Sequence, residues 1–133
     1  MCGIIGYTNN VSNNQSVIEN MLQKISHRGP DDQGYYQDSK ITLGMRRLSI
    51  IDLDSGNQPL FNEDKSLILV FNGEIYNYQV LRAKLISLGH TFTTNSDSEV
   101  IIHGYEEYGN DIVNHLRGMF AFAIYNIHTK ALF

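Results

Sequence analysis

The first seven residues, MCGIIGY (Met1–Tyr7), place a single cysteine beside the N-terminus, just ahead of a short apolar run. The run Gly3–Tyr7 predicts a buried β-strand. Cys2 can be a small buried hydrophobe, as free cysteines often are. Removal of Met1 would instead expose an α-amine, whose ordinary pKa is roughly 7.7–8.0. One residue would then supply both a nucleophile and a base.

Composition predicts one globular domain without nucleic-acid or membrane partners. The chain has 133 residues, of which 42% are hydrophobic, and its net charge is -4 without an acidic block or a basic stripe. This length can bury a sizeable core. No apolar run is long enough to cross a bilayer, and a lone cysteine suits a reducing compartment. We therefore expect a cytoplasmic protein.

The histidines do not predict a metal site. No two of the five form an H-x-x-x-H pair, and there is no second cysteine to complete a ligand set. We therefore expect surface or core histidines and no metal.

Periodicity predicts a mixture of helices and short strands. Helical spacing covers residues 17–25 and 78–88, and Ser96–Glu99 has the pattern of a capping box before a third helix. The stretch 118–126 is apolar on both faces, which predicts a central strand covered on both sides. A turn then leads to Ala131–Phe133, which we expect to pair with the end of that strand. We infer that the chain is part of a longer one.

The stretch Asn72-Gly73-Glu74 has two interpretations. Asn-Gly after a strand is a strong signal for a type I′ hairpin turn. However, helical spacing follows it, so a strand-to-helix junction fits better. There, Gly73 would let backbone approach a ligand, and the side chain of Asn72 would lie beside a backbone N–H as in an oxyanion hole.

Two charged residues are candidates for binding. Arg46 and Arg47 lie in strand register and should point to opposite faces, so Arg47, within an apolar run, could face a cleft and a carboxylate partner. The alternative is two surface charges. Asp97 follows a serine in the predicted cap, where an acid stabilises a helix by about 0.3–1 kcal/mol. Taken alone, it is a structural residue.

Seven motifs together resemble one family. The sequence is similar to the class II glutamine amidotransferase domain of glutamine-hydrolysing asparagine synthetases, in family order along essentially the whole chain. The matching stretches are MCGIIGY (1–7), HRGPD (27–31), RLSIID (47–52), QPL (58–60), NGEIYN (72–77), SDSEVI (96–101) and GMFAFA (118–123).

The resemblance implies a fold and a set of site residues. The fold is that of the N-terminal nucleophile hydrolases, an α+β, four-layer αββα sandwich. Cys2 would be the nucleophile, and Asn72 and Gly73 would form the oxyanion hole. The glutamine-binding residues would be Arg47 for the α-carboxylate, Asp97 with Glu74 for the α-ammonium, and Ile50 and Ile51 along the pocket.

The resemblance also implies a reaction and partners. L-glutamine would be hydrolysed to glutamate and ammonia without a cofactor. Residues 1–133 would be the N-terminal part of the glutaminase domain, incomplete at its C-terminus. A C-terminal synthetase domain of the same chain would use ATP and Mg²⁺, most simply to make asparagine from aspartate, and the protein could be a homodimer. Amidation of a sugar carboxylate in surface-polysaccharide assembly, or a catalytically dead scaffold if Met1 is retained, are the alternatives.

Overall fold

The structure, a computed structural model, describes residues 2–8, 14–48 and 56–133, and its strands form two antiparallel sheets. The first sheet has the order β1-β3-β2 and the second β4-β5-β6. The strands are β1 (Gly3–Thr8), β2 (Asp32–Gln37), β3 (Ile41–Arg47), β4 (Leu60–Phe61), β5 (Leu67–Ile75) and β6 (Gly118–Asn126).

Four α-helices and two short 3₁₀ turns complete the described chain. The helices are α1 (Asn14–Lys24), α2 (Tyr78–Ser87), α3 (Glu99–Tyr108) and α4 (Ile112–His115), and the 3₁₀ turns are Ser26–Arg28 and Gly109–Asp111. Within the described ranges, no helix is long and apolar enough to cross a membrane.

The two sheets pack face to face between layers of helix. Alternation along β5 sends Ile68 and Val70 toward the first sheet, into a core shared with residues of β3 and β6. Its other face packs Leu69 and Phe71 against α2, α3 and α4. Helix α1 covers the outer face of the first sheet and buries Ile18 completely. The predicted αββα sandwich is confirmed.

Strand β6 differs in part from its prediction. The strand has the predicted bounds, but its first half is open, and Met119 is 60% exposed. Only its second half, including Ile124 and Tyr125, is buried. The predicted pairing of Ala131–Phe133 is confirmed, because the N–H of Ile124 donates to the carbonyl of Phe133 at 2.8 Å.

Strand β5 is longer than its apolar run suggests. It continues through Asn72 and Gly73 to Ile75, paired with β6 in unbroken register, and α2 begins three residues later. The hairpin interpretation of Asn72-Gly73 is therefore wrong, and the junction of strand and helix is confirmed.

The start of α3 also differs from the prediction. The cap residue is Ser98, not Ser96, and it makes no side-chain capping bond. The hydroxyl of Ser96 instead lies 2.6 Å from that of Ser98. Asp97 thus precedes the helix, and the helix-start account of Asp97 does not hold.

Candidate active site

One cavity of about 160 Å³ gathers residues from six separate parts of the chain. Pockets for drug-sized ligands occupy about 300–1,000 Å³, so this cavity suits a small molecule. It is lined by six of the predicted site residues, Cys2, Arg47, Asn72, Gly73, Glu74 and Asp97. The other two, Ile50 and Ile51, lie outside the described residues.

Cys2 is held from two sides. Its neighbour Gly3 pairs with Arg46, which aligns the start of β1 with the end of β3. The N–H of Leu48 donates to Sγ of Cys2 at 3.3 Å, and Nε of Arg28 donates to the Cys2 carbonyl at 3.0 Å. The thiol is therefore placed at the cavity wall by the sheet itself.

Arg47 is a buried cation at the cavity. It is 5% exposed, and its Nη1 donates to Oδ1 of Asn57 at 2.9 Å. Arg46 points the other way, where its Nη1 donates to Oε1 of Gln33 at 2.7 Å. The prediction of opposite faces is confirmed. A planar guanidinium at a cavity wall suits a bidentate carboxylate.

The backbone of β5 leaves one N–H for a ligand. On the edge away from β6, the N–H of Phe71 donates to Oε1 of Gln58 at 2.7 Å, and that of Ile75 donates to Oδ2 of Asp97 at 2.8 Å. Because N–H directions alternate along a strand, the N–H of Gly73 points to the same edge. No acceptor for it lies within the part of the chain that the structure describes. The cavity thus contains an available donor between two satisfied ones.

Gly73 is required by the close approach of β6. A Cβ at this position would lie 2.2 Å from the carbonyl oxygen of Met119 and 2.6 Å from Cα of Phe120. Both atoms belong to backbone, so no side-chain movement relieves the clash. The predicted close approach at this glycine is real, but it comes from the neighbouring strand.

The side chain of Asn72 has an unused polar group. Its Oδ1 is buried and has no hydrogen-bond partner among the described residues. Buried polar atoms are nearly always satisfied, so an unpaired one in a cavity is a group that a ligand or water can pair with. Rotation of the amide presents either its oxygen or its NH₂ to the cavity. With the NH₂ presented, Asn72 and the N–H of Gly73 can together offer two donors to one ligand oxygen.

Asp97 and Glu74 add two carboxylates to the lining of the cavity. Burial raises the pKa of Asp97, and the negative charge of Glu74 raises it further, against the lowering effect of the bond from Ile75. A buried carboxylate whose charge is disfavoured, with a second carboxylate beside it, suits a ligand cation. The cavity therefore presents a cation at Arg47 and anions at Asp97 and Glu74, which suits a zwitterion.

Sequence reasoning did not assign the residues that support the site. Arg28, Leu48 and Gln58 hold Cys2 and the edge of β5, and Gln58 is buried. Arg28 and Gln58 lie in the HRGPD and QPL motifs. Those motifs were a usable signal, but a side chain that completes a distant sheet edge has no local signature.

The fold first places the molecule in a structural class. About 94% of the chain superposes on 34% of the glutamine phosphoribosylpyrophosphate amidotransferase of Bacillus subtilis, with a TM-score of 0.72 and 22% identity. At that identity the likeness establishes the fold alone, which the chain shares with that amidotransferase.

Sequence comparison then gives the family. The family model for the glutamine amidotransferase domain matches residues 1–133, and the chain belongs to that family. The chain is 45% identical over its whole length to asparagine synthetase [glutamine-hydrolyzing] 1 of Bacillus subtilis. It is also 45% identical, over 95% of its length, to a probable asparagine synthetase of Dictyostelium discoideum. It spans 22% and 23% of these two relatives, or under a quarter of each.

Proposed function

We propose that this chain hydrolyses L-glutamine to glutamate and ammonia, with Cys2 as the nucleophile. The observation that carries the proposal is the single cavity in which the thiol of Cys2, the open N–H of Gly73 and the opposed charges of Arg47 and Asp97 meet. Free glutamine has the matching groups, an α-carboxylate, an α-ammonium and a side-chain amide.

The charged groups orient the substrate. The guanidinium of Arg47 pairs with the α-carboxylate of glutamine, and Asp97, with Glu74 beside it, accepts the α-ammonium. The substrate cation offsets the cost of burying the Asp97 charge, since an opposite charge favours the ionised carboxylate. Ile50 and Ile51 stay predicted pocket residues, because they lie outside the described residues.

The chemistry then needs four steps. After removal of Met1, the α-amine of Cys2 takes the thiol proton, and Sγ attacks the amide carbon of glutamine. The N–H of Gly73 and the amide of Asn72 hold the oxyanion, and such a donor is worth about 10²–10³ in rate. The C–N bond breaks as the α-ammonium returns the proton, and ammonia leaves. Water then hydrolyses the γ-glutamyl thioester, which releases glutamate and restores the thiol.

The names of the relatives support a larger activity for the whole protein. We expect residues 1–133 to deliver ammonia to a synthetase domain of the same chain, which uses ATP and Mg²⁺ to form asparagine from aspartate. The glutaminase chemistry itself requires none of these cofactors. A cytoplasmic location and a homodimer are parts of the same proposal.

The test combines mass spectrometry of the N-terminus with the substitution of Cys2. Mass spectrometry of the purified protein should show a chain that starts at Cys2. Cys2→Ser should abolish glutamine hydrolysis, because a hydroxyl is a much weaker nucleophile at neutral pH. Ammonia-dependent amide synthesis by the full-length protein is the control and should remain. A serine variant with near wild-type glutaminase activity, or an active protein that keeps Met1, would overturn the proposal.

A further inference from the structure

A second cluster of chemically active side chains lies away from the glutaminase cavity. It consists of Glu63 in the β4–β5 connection, His90 after α2, and His103 and Glu106 on α3, with one donor atom of each within 4.8 Å of the others. The sequence expectation of no metal site rested on histidine spacing. It overlooked the H-x-x-E spacing of His103 and Glu106, and it could not show that His90 joins them.

Four nitrogen–oxygen separations in the cluster are close to the donor spacing of a tetrahedral metal site. Nδ1 of His90 lies 3.2 Å from Oε1 of Glu63 and 3.6 Å from Oε2 of Glu106. Nδ1 of His103 lies 3.4 Å from Oε2 of Glu63 and 3.1 Å from Oε2 of Glu106. Around tetrahedral Zn²⁺, with bonds of about 2.0–2.1 Å, neighbouring donors are roughly 3.3–3.4 Å apart. The four observed separations bracket that value.

Each histidine has a carboxylate behind it. Nε2 of His90 lies 2.9 Å from Oε1 of Glu107, and Nε2 of His103 faces Oε1 of Glu99 at 3.5 Å. Metal-binding histidines usually direct their second ring nitrogen at a carboxylate or carbonyl, which fixes the ring and raises its basicity. His90 has that arrangement. Nε2 of His103 is buried, makes no hydrogen bond among the described residues and faces Glu99 at the longer distance. Nδ1 of each ring is directed at the cluster.

The two ligand carboxylates are also oriented. Nδ2 of Asn62 donates to Oε1 of Glu106 at 2.8 Å, which leaves Oε2 directed at the histidines. The N–H of Thr91 donates to Oε1 of Glu63 at 3.0 Å. Such support is typical of ligands held in place before an ion binds.

The negative charges of the cluster favour a bound cation. His103 is 1% exposed, and Glu63 and Glu106 place two negative charges against it. A divalent ion would offset the negative charges of Glu63 and Glu106, which face the two imidazoles.

We propose that Glu63, His90, His103 and Glu106 bind one divalent transition-metal ion, with Zn²⁺ the best fit to a site of two nitrogens and two oxygens. All four positions come from the protein, which is the pattern of a structural rather than a catalytic site. The ion would join the β4–β5 connection, the segment after α2, and helix α3. The β4–β5 connection leads directly into β5, and α3 begins two residues after Asp97. Both elements therefore adjoin segments that line the glutaminase cavity.

The experiment measures zinc directly. The Cys2→Ser protein, which lacks the one thiol of residues 1–133, is stripped with a chelator, dialysed, given excess ZnCl₂ and desalted. Elemental mass spectrometry should find one Zn²⁺ per chain, and Zn²⁺ should raise Tm. His90→Gln and Glu63→Gln in the same background should lose the bound ion. His128→Gln, at an exposed histidine outside the cluster, is the matched control and should keep it.

Further measurements keep the proposal testable if a ligand variant fails to fold. Glu107→Gln alters only the group behind His90 and should weaken zinc binding about 10- to 100-fold. Titration of the stripped Cys2→Ser protein with CoCl₂ should give the strong visible absorption of tetrahedral Co²⁺. Absence of bound zinc together with no Co²⁺ absorption, or equal zinc binding by His90→Gln and His128→Gln, would overturn the proposal. The cluster would then be an ion-pair network around protonated His103.

Discussion

The N–H of Ile75 donates to Oδ2 of Asp97 at 2.8 Å, which joins the end of β5 to the segment that leads into α3. The bond fixes the carboxylate in the glutaminase cavity. It also satisfies a backbone donor that no strand pairs. Asp97 is therefore a structural acceptor and, in the proposed function, the partner of the substrate ammonium.

Asp97→Asn should separate these two roles. The amide oxygen can still accept from Ile75, but the charge for the ammonium of glutamine is lost. A charge-assisted bond is worth about 1.5–3 kcal/mol, so kcat/KM for glutamine should fall roughly ten- to more than a hundredfold. Steady-state kinetics at pH 7.5 measures this, and KM should carry much of the change.

The stability of the same variant should not fall. Because burial and Glu74 raise the pKa of Asp97, its ionised form costs free energy in the folded state. Without substrate, the wild type should therefore lose stability relative to Asp97→Asn as the pH rises from about 4 through the raised pKa. Thermal unfolding of both proteins from pH 4 to pH 8 tests the direction of this change in stability.

Asp97→Ala, which leaves the N–H of Ile75 unpaired, should be less stable than the wild type by about 1–3 kcal/mol. Unchanged kinetics with lowered stability in Asp97→Asn would contradict the binding role.

Gly73→Ala should disrupt both the sheet and the chemistry. Its Cβ would collide with the backbone of Met119 and Phe120, so β5 and β6 must separate. Overpacking of this kind costs about 1–3 kcal/mol, and the displaced N–H would no longer meet the oxyanion. We expect a lowered free energy of unfolding in urea and a loss of glutaminase activity of at least about 10²-fold.

Gly89→Ala is the control for this substitution. Gly89 has a φ of +106°, yet a Cβ there would meet nothing within 4 Å. The substitution Gly89→Ala therefore introduces backbone strain of about 1 kcal/mol without a clash. Glutaminase activity should be retained. Equal loss of activity in both variants would show that general destabilisation, not the N–H of Gly73, explains the effect.

Gln58→Met should show the value of a side chain that completes a sheet edge. Methionine keeps the length of the side chain but cannot accept from the buried N–H of Phe71, now bonded at 2.7 Å. An unsatisfied buried donor costs about 1–3 kcal/mol, which urea unfolding can measure. Gln23→Met, on the exposed surface of α1, should change stability by no more than about 0.5 kcal/mol. A Gln58→Met protein as stable as the control would mean that water replaces the amide.

Asp38 should contribute a pH-dependent link between the two sheets. Oη of Tyr125 and Nζ of Lys130 donate to its Oδ2 at 3.0 and 3.2 Å. Burial acts to raise the pKa of Asp38, but the N–H groups of Lys40 and Ile41, with Lys130 and Tyr125, outweigh it and hold the pKa well below its ordinary value.

A carboxylate with a depressed pKa stabilises the fold above its unfolded pKa, and the contribution is lost as the pH falls through the folded one. The wild type should be more stable than Asp38→Asn at pH 7, and the difference should shrink as the pH falls below about 4. Thermal unfolding of both proteins across this range is the measurement. A difference that does not change with pH would exclude ionised Asp38 as the cause.

Local patterns predicted most elements and several site residues. Apolar patterns located β1, β6 and α2, because the apolar residues that each element buries lie close together in the sequence. The position of Arg47 in an apolar run indicated a buried cation facing a cleft, which the structure has. These features depend on residues that are close in sequence, so a local sequence pattern can predict them.

Features made by distant partners were not predictable in this way. Asn72-Gly73 has the composition of a turn, but pairing with β6 extends the strand through it. Ser96 has the pattern of a cap, but Asp97 bonds to Ile75 and the helix starts later. His90 and His103 are separated by a loop and a helix start, so only tertiary packing brings their rings together. Tertiary contacts override local preference at each of these positions.

The two side chains that flank the open N–H of Gly73 also define what the site can accept. Addition of a peptide strand to a sheet edge requires several consecutive backbone groups at alternate positions. Gln58 and Asp97 already occupy the donors two residues to either side, so only one carbonyl can dock on this edge. Under the proposed function, that carbonyl belongs to the side-chain amide of glutamine, and a peptide strand cannot add to this edge of β5.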